Sequence, residues 1–123
     1  MNILVTGGLG AVGTALIPEL EKRGHSVFVI DIDTHHFAQN YARIDVSEFR
    51  QLEQLWTGGG WERGYMNSPR KFDMVFHLAA EFGRWNGEDY YETLWKTNAI
   101  GTKNILKMQE KEGFKAVYFS TSE

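Results

Sequence analysis

The nine residues VTGGLGAVG (residues 5–13) decide the fold class that this sequence predicts. An apolar run leads into them, a segment with helical spacing follows, and glycines separate the two. This order is typical of a dinucleotide-binding turn, in which the backbone turns tightly, passes close to a pyrophosphate and enters a closely packed helix. The turn predicts these cofactor contacts: Gly7, Gly10, Ala11, Val12 and Gly13.

A carboxylate at the end of the next apolar run supports that interpretation. Asp31 follows Gly13 at close to the separation of about 20 residues expected for the side chain that binds a ribose 2′-hydroxyl. A carboxylate there accepts hydrogen bonds from the free hydroxyls of NAD and repels the 2′-phosphate of NADP. The sequence therefore predicts NAD as the cofactor. Asp33 lies just beyond, and a role as a simple loop carboxylate is sufficient to explain it.

Apolar runs alternate with helix-period segments along the chain, the pattern of parallel strands joined by crossover helices. Gly24 is predicted to end the first helix and Ser47 to cap the second. We predict one α/β domain over residues 1–123: a Rossmann-type parallel sheet of five strands in the order 3-2-1-4-5, with flanking helices. Strands are predicted within residues 3–5, 26–31, 41–45, 72–80 and 114–120, and helices within residues 9–24, 46–56 and 87–113.

Composition and charge limit the functions open to the chain. A net charge of −3 with both signs interspersed provides no basic stripe for a phosphate backbone, so nucleic acid is not a favoured partner. The absence of cysteine indicates a reducing compartment, and the adjacent His35 and His36 lack the spacing of a metal site. The start MNILVTGG leaves no room for a signal peptide, and no stretch reaches membrane-spanning length. We predict a cytoplasmic protein with no membrane partner.

Two long connections differ in their expected roles, because ligands of a parallel sheet bind at the carboxyl ends of its strands. Residues 57–71 join a helix to a strand on the far side and are predicted to be a surface excursion or an interaction patch with Trp61 and Tyr65. Residues 81–87 join a strand to a helix on the ligand side. Arg84 and Trp85 in this loop are candidates for contact with a diphosphate or a sugar face, although a solvated arginine and a packed tryptophan explain them equally well.

Asn98 is the most informative residue of the last predicted helix. It shares a four-residue spacing with Leu94 and Thr102, which predicts that its amide faces the sheet where an apolar residue would pack more simply. Nearby Gly101 costs about 1 kcal/mol relative to alanine in a helix interior, and a close approach of the helix to the sheet would explain it. A functional amide and a satisfied buried amide both remain open.

Five segments occur in one order: TGGLGAVG with the later Asp31, IDVSE, HLAA, TNAIGTKN and STSE. Together they resemble the extended short-chain dehydrogenase/reductase family, the NAD-dependent epimerases and dehydratases of nucleotide sugars. The resemblance runs along the whole chain but covers only about the first third to two-fifths of a typical member.

Further cofactor contacts are implied by this resemblance. Asp45 and Val46 would meet the adenine ring, with helix capping as an alternative or coexisting role of Asp45. The ribose and nicotinamide half of the cofactor would lie over small or apolar residues that permit close approach. His77, in the same HLAA segment, is interpreted as a packed or an edge histidine rather than a catalyst. The residues under that half are Leu78, Ala79 and Ala80.

Catalytic positions are implied in the same way. Thr121 matches the residue that hydrogen-bonds the sugar hydroxyl oxidised at C4, and Asn98 matches an asparagine that holds a water molecule near the catalytic groups. Ser122 and Glu123 follow in the pattern of dehydratases and decarboxylases of the family, which slightly favours those reactions over plain epimerisation. A structural role for Glu123 is also compatible with the pattern.

The catalytic base of the family, a tyrosine with a lysine four positions later, does not occur in this chain. We therefore predict the amino-terminal portion of an enzyme for a nucleotide-sugar substrate, inactive alone, whose family implies a homodimer. The alternatives are a non-catalytic NAD-binding sensor and a subunit that another chain completes at the apolar edge of the fifth strand. The residues four positions after the tyrosines are Asp45, Pro69, Leu94, Trp95 and Ser122.

Overall fold

A computed structural model describes residues 1–33, 40–57, 68–80 and 91–119. Its parallel strands form one sheet in the order β3-β2-β1-β4-β5, which confirms the predicted class and order. The strands are β1 (Asn2–Thr6), β2 (Ser26–Asp31), β3 (Tyr41–Arg43), β4 (Met74–His77) and β5 (Lys115–Tyr118). The helices are α1 (Ala11–Lys22), α2 (Phe49–Thr57), α3 (Tyr91–Leu94) and α4 (Gly101–Glu112), with a π-helical turn (Trp95–Ile100) between α3 and α4.

The sheet is apolar on both faces, as a parallel sheet between two layers of helices requires. Successive residues of β1 point to opposite faces, so fully buried Leu4 and Val5 belong to different clusters. On the Leu4 face, Leu52 of α2 and Ile105 of α4 complete the core. On the Val5 face, Leu20 of α1 does so. The sheet is therefore packed between two helical layers.

β4 ends earlier than the predicted strand because its next N–H groups turn to a side chain. The Leu78 N–H is shared between the carbonyl and the hydroxyl of Thr6, and the Ala79 N–H donates to that hydroxyl, each at 3.1 Å. Thr6 is fully buried at the end of β1. Its hydroxyl thus directs the chain out of the sheet and along the carboxyl edge.

The two predicted helix boundaries have different outcomes. Gly24 follows the end of α1 with a φ of +88°, as predicted for a helix-ending glycine. The prediction that Ser47 caps α2 is wrong, since α2 begins at Phe49. Asp45 Oδ1 accepts hydrogen bonds from the N–H and the hydroxyl of Ser47, at 2.9 and 2.7 Å, so Ser47 is engaged in the turn before the helix. No helix in the described ranges has the length and apolarity needed to cross a membrane.

Candidate functional site

A cleft of about 510 Å³ opens at the carboxyl edge of the sheet, where a doubly wound fold binds its ligands. Its floor is the turn after β1, one wall follows β2 and β3, and the other follows β4 and β5. Every predicted cofactor residue lines it: Gly7, Gly10, Ala11, Val12, Gly13, Asp31, Asp45, Val46, Leu78, Ala79 and Ala80. The structure brings these residues together, and their contacts with a cofactor stay a prediction.

Two positions of the turn after β1 require glycine, because a side chain there would collide with backbone atoms. Gly7 has a φ of +65°, and a Cβ there would lie 2.7 Å from the backbone of Ala79. A Cβ on Gly13 would lie 2.3 Å from the carbonyl oxygen of Gly8, so α1 packs directly on the turn. By contrast, Gly10 is exposed, and its nearest obstacle, Gly7 O, is 3.4 Å from a built Cβ. The backbone at Gly10 is therefore open to a ligand.

The floor of the cleft offers the N-terminus of α1 to a ligand and, in the described part of the chain, has no cationic side chain. α1 begins at Ala11 and has no acidic residue in its first turn, so its first N–H groups and the positive end of its dipole are not neutralised there. Among the described residues that line the cleft, none is lysine or arginine. A diphosphate in this cleft would be held by the N-terminus of α1, and these residues fit such a group.

Asp31 is fixed by two main-chain donors. Its Oδ2 accepts from the Leu9 N–H at 3.0 Å and its Oδ1 from the Ile32 N–H at 2.7 Å, which ties the end of β2 to the glycine turn. The Tyr41 hydroxyl donates to the main-chain carbonyls of Asp31 and Asp33. Burial, together with the negative side chains of Asp31 and Asp33, raises the pKa of Tyr41 to about 12, so the hydroxyl keeps its proton and stays a donor. Asp31 is thus a preoriented acceptor at the cleft wall.

The same wall continues with Asp45 and Val46. The Asp45 carboxylate accepts from Ser47 in the turn before α2 and from no N–H group of the described helix, so the structure does not bear out helix capping, and contact with a ligand stays a prediction. Val46 is packed against Gly101, where a Cβ would lie 2.7 Å from Val46 Cγ2. The helix makes the close approach that Gly101 suggested, but its partner is Val46 in the segment after β3 and not a strand of the sheet. Asn104, buried on α4, donates its amide to the Val46 carbonyl at 2.8 Å.

A buried polar chain supports the opposite wall. His77 Nδ1 lies 2.7 Å from Thr6 Oγ1, and His77 Nε2 lies 3.1 Å from Thr102 Oγ1. Burial lowers the pKa of His77 from 6.5 to about 4, so the ring is neutral at physiological pH. Of the two predicted alternatives, a packed or an edge histidine, the structure shows the packed one, and the ring is hydrogen-bonded at both nitrogens. A sequence signal was available, because Thr6 and His77 are polar residues that directly follow the apolar runs ILV and MVF of their strands.

Asn98 lies outside the cleft, so the prediction that it faces the sheet is wrong. Its side chain is exposed and borders a separate apolar depression next to Trp95. A π-helical turn uses one residue more than an α-helical turn, so counting in fours across Trp95–Ile100 assigns the wrong face. Thr97, five residues before Thr102, lines the cleft instead. The role implied for Asn98 in catalysis stays untested.

Other predicted site residues lie outside the described residues: Arg84, Trp85, Thr121, Ser122 and Glu123. Sequence reasoning also missed several residues that line the cleft. Most of these are apolar residues or threonines without a distinctive pattern, and Asp33, treated as a loop carboxylate, is the exception. The additional lining residues are Leu9, Ile32, Asp33, Ile44, Thr93, Thr97 and Phe119.

Comparison with known proteins agrees with this geometry. The model of the NAD dependent epimerase/dehydratase family matches residues 3–123. This chain belongs to that family. The solved structure of the UDP-glucose 4-epimerase of Thermus thermophilus in complex with NAD matches 98% of this chain and 38% of its own, with a TM-score of 0.79 and 25% identity.

Curated family relatives differ in the reactions that their names state. UDP-N-acetyl-alpha-D-glucosaminuronate decarboxylase of Bacillus cytotoxicus is 32% identical over 98% of this chain and 36% of its own length. 2-Alkyl-3-oxoalkanoate reductase of Stenotrophomonas maltophilia is 33% identical over 98% of this chain and 33% of its own length. The chain therefore spans about a third of the length of these curated relatives.

Proposed function

We propose that this chain binds NAD in the cleft and is the amino-terminal, cofactor-binding portion of a nucleotide-sugar enzyme. The observation that carries the proposal is the hydrogen bond from the Leu9 N–H to Asp31, which sets a carboxylate beside the open backbone of Gly10. Asp31 would bind the adenosine ribose, and the N-terminus of α1 would bind the diphosphate. NAD supplies a nicotinamide ring that takes up a hydride and returns it.

The cofactor is tested by titrating the chain with NAD and NADP in a calorimeter. We expect tighter binding of NAD, because a 2′-phosphate would meet the charge of Asp31. Asp31→Asn keeps an acceptor for Leu9 but removes that charge, so the preference for NAD should fall by about tenfold. Glu110→Gln removes an exposed charge from α4 and should leave the preference unchanged. Binding of neither cofactor, or a preference for NADP by the natural chain, would refute the proposal.

For the reaction, we propose transient oxidation of the sugar at C4, with Thr121 bound to the reacting hydroxyl. Thr121, Ser122 and Glu123 favour a dehydratase or a decarboxylase over a plain epimerase, and the similarity to a uronate decarboxylase supports this choice. This chain is also similar to an oxoalkanoate reductase, so the decisive experiment is to determine which class of substrate the complete gene product accepts. The complete gene product should release carbon dioxide or water from a UDP-linked sugar. Reduction of an oxoalkanoate with no activity on any UDP-linked sugar would overturn the assignment.

The residue that acts after C4 oxidation is proposed to be Glu123. In the complete gene product, Glu123→Gln should abolish loss of carbon dioxide or water, while NADH still forms in a single turnover because oxidation at C4 would use Thr121, NAD and the tyrosine base rather than Glu123. Equal loss of both signals would assign Glu123 a structural role. The 123-residue chain alone should give no turnover, because the tyrosine and lysine that form the base are not among its residues. Oxidation of a nucleotide sugar by the purified chain would contradict this.

A second candidate is a subunit that another chain completes. β5 is the outermost strand on its side of the described sheet, and Val117, Tyr118 and Phe119 are 36%, 38% and 52% exposed. Such an apolar edge favours pairing with a further strand. Light scattering of the purified chain should then show a dimer or larger species, and a clean monomer would count against this candidate. The proposed family homodimer would be tested in the same way on the complete gene product, and the proposed cytoplasmic location by fractionating cells.

A further inference from the structure

The first turn of α4 is hydrogen-bonded to both walls of the cleft. Asn104, 4% exposed, donates its amide to the Val46 carbonyl at 2.8 Å on the wall after β3. Thr102, two residues earlier, reaches His77 of β4 at 3.1 Å. These two side chains are in the same helical turn but have partners on opposite sides of β1.

Each contact continues to residues that line the cleft. Val46 itself lines the wall that is predicted to meet adenine. On the other side, His77 holds Thr6, and the Thr6 hydroxyl accepts the N–H groups of Leu78 and Ala79 at 3.1 Å. The first turn of α4 does not line the cleft, but its side chains are hydrogen-bonded to segments of both walls.

We propose that Thr102 and Asn104 are positioning residues that set the two halves of the cofactor cleft independently. Asn104 sets the adenine half through Val46, and Thr102 sets the nicotinamide half through His77 and Thr6. This inference rests on the proposed binding of NAD. The inference adds a separate supporting residue for each half of the cofactor.

The two roles can be separated with ligands that occupy different parts of the cleft. AMP carries only the adenine half of NAD, so its affinity reports the wall at Val46. Asn104→Leu leaves the Val46 carbonyl without its donor and should weaken AMP and NAD alike, by about tenfold. Thr102→Val removes the acceptor of His77 and should weaken NAD by a similar factor while AMP binding is unchanged. Lys103→Ala, an exposed position between the two, should change neither affinity.

Conservative variants keep the test decisive if a buried substitution prevents folding. Thr102→Ser retains the hydroxyl and should restore the affinity for NAD. Asn104→Asp can donate to Val46 only when its carboxyl is protonated, so its AMP affinity should rise as the pH falls, unlike that of the natural chain. Amide spectra give a second measurement, in which Thr102→Val should shift the Leu78 and Ala79 signals and leave that of Val46 in place.

The possible outcomes are distinguishable. If the natural chain binds neither NAD nor AMP, the proposed function fails. If it binds both and the folded Asn104 and Thr102 variants bind both normally, the positioning inference fails while the proposed function stands. If both variants weaken AMP and NAD by one common factor, the separate assignment of the two halves is wrong.

Discussion

The hydroxyl of Thr6 lies 2.7 Å from Nδ1 of His77, and the other hydrogen bonds of this hydroxyl indicate which nitrogen of the ring carries the proton. Thr6 Oγ1 already accepts two hydrogen bonds, from the N–H groups of Leu78 and Ala79. A hydroxyl oxygen has two lone pairs, so its remaining capacity is its own proton, which it donates to Nδ1. His77 must then carry its proton on Nε2 and donate it to Thr102. Long-range nitrogen–proton spectra should show only this tautomer near neutral pH, and protonation at Nδ1 would contradict the network.

The depressed pKa of His77 predicts how stability depends on pH. His77 takes up a proton near pH 4 in the folded state and near pH 6.5 in the unfolded state. The stability that the neutral, buried ring contributes is therefore fully present above pH 6.5 and is lost as the pH falls toward 4. Against a His77→Gln variant, the stability advantage of the natural chain should shrink by about 2 kcal/mol between about pH 7 and about pH 4.5. Urea unfolding of both proteins at the two pH values measures this difference. An advantage that is independent of pH would show that His77 does not titrate as described.

Thr6→Val should destabilise the chain although it preserves shape. The fully buried valine would leave the Ala79 N–H and His77 Nδ1 without their partner, at a cost of about 2 kcal/mol. Thr6→Ser, which keeps the hydroxyl and loses a methyl group, is the matched control and should lose less. Equilibrium denaturation ranks the three proteins. A valine variant as stable as the natural chain would mean that the network contributes little.

Gly7 and Gly24 form a pair that separates backbone strain from steric conflict. Both have positive φ, +65° and +88°, but a Cβ at Gly7 would lie 2.7 Å from the Ala79 backbone, whereas nothing lies within 4 Å of one at Gly24. Gly24→Ala should therefore cost only the strain of a left-handed residue, about 1 kcal/mol. Gly7→Ala adds displacement of the cleft wall and should abolish measurable NAD binding. Thermal unfolding and calorimetry test this, and equal losses of stability with intact binding would refute it.

The residues that sequence alone could predict are those with a main-chain requirement. Gly7 and Gly13 occupy places where any side chain would collide with backbone, and the sheet order follows from alternating strands and helices. These requirements leave a local pattern in the sequence. The cleft and most of the residues that line it were predictable for that reason, including the acidic residue at the end of β2.

The remaining parts of the site depend on contacts that have no local pattern. Thr6 and His77 meet across 71 positions, and Asn104 meets Val46 across 58, so only the folded sheet brings them together. Asn98 was assigned to the wrong face because the helical period changes at Trp95–Ile100, and residue type does not announce a π-helical turn. The adjoining Thr97 was missed for the same reason.

Gly101 and Val46 give a test of how closely α4 must approach the cleft wall. In a helix interior, Gly101→Ala would be expected to stabilise by about 1 kcal/mol, but a Cβ there would lie 2.7 Å from Val46 Cγ2. We expect the single variant to be destabilised and to bind AMP more weakly, because Val46 must move. Val46→Ala creates space, so adding Gly101→Ala to it should raise stability by up to about 1 kcal/mol. A double-mutant cycle from urea denaturation measures this coupling, and simple additivity of the two changes would show that the wall yields without cost.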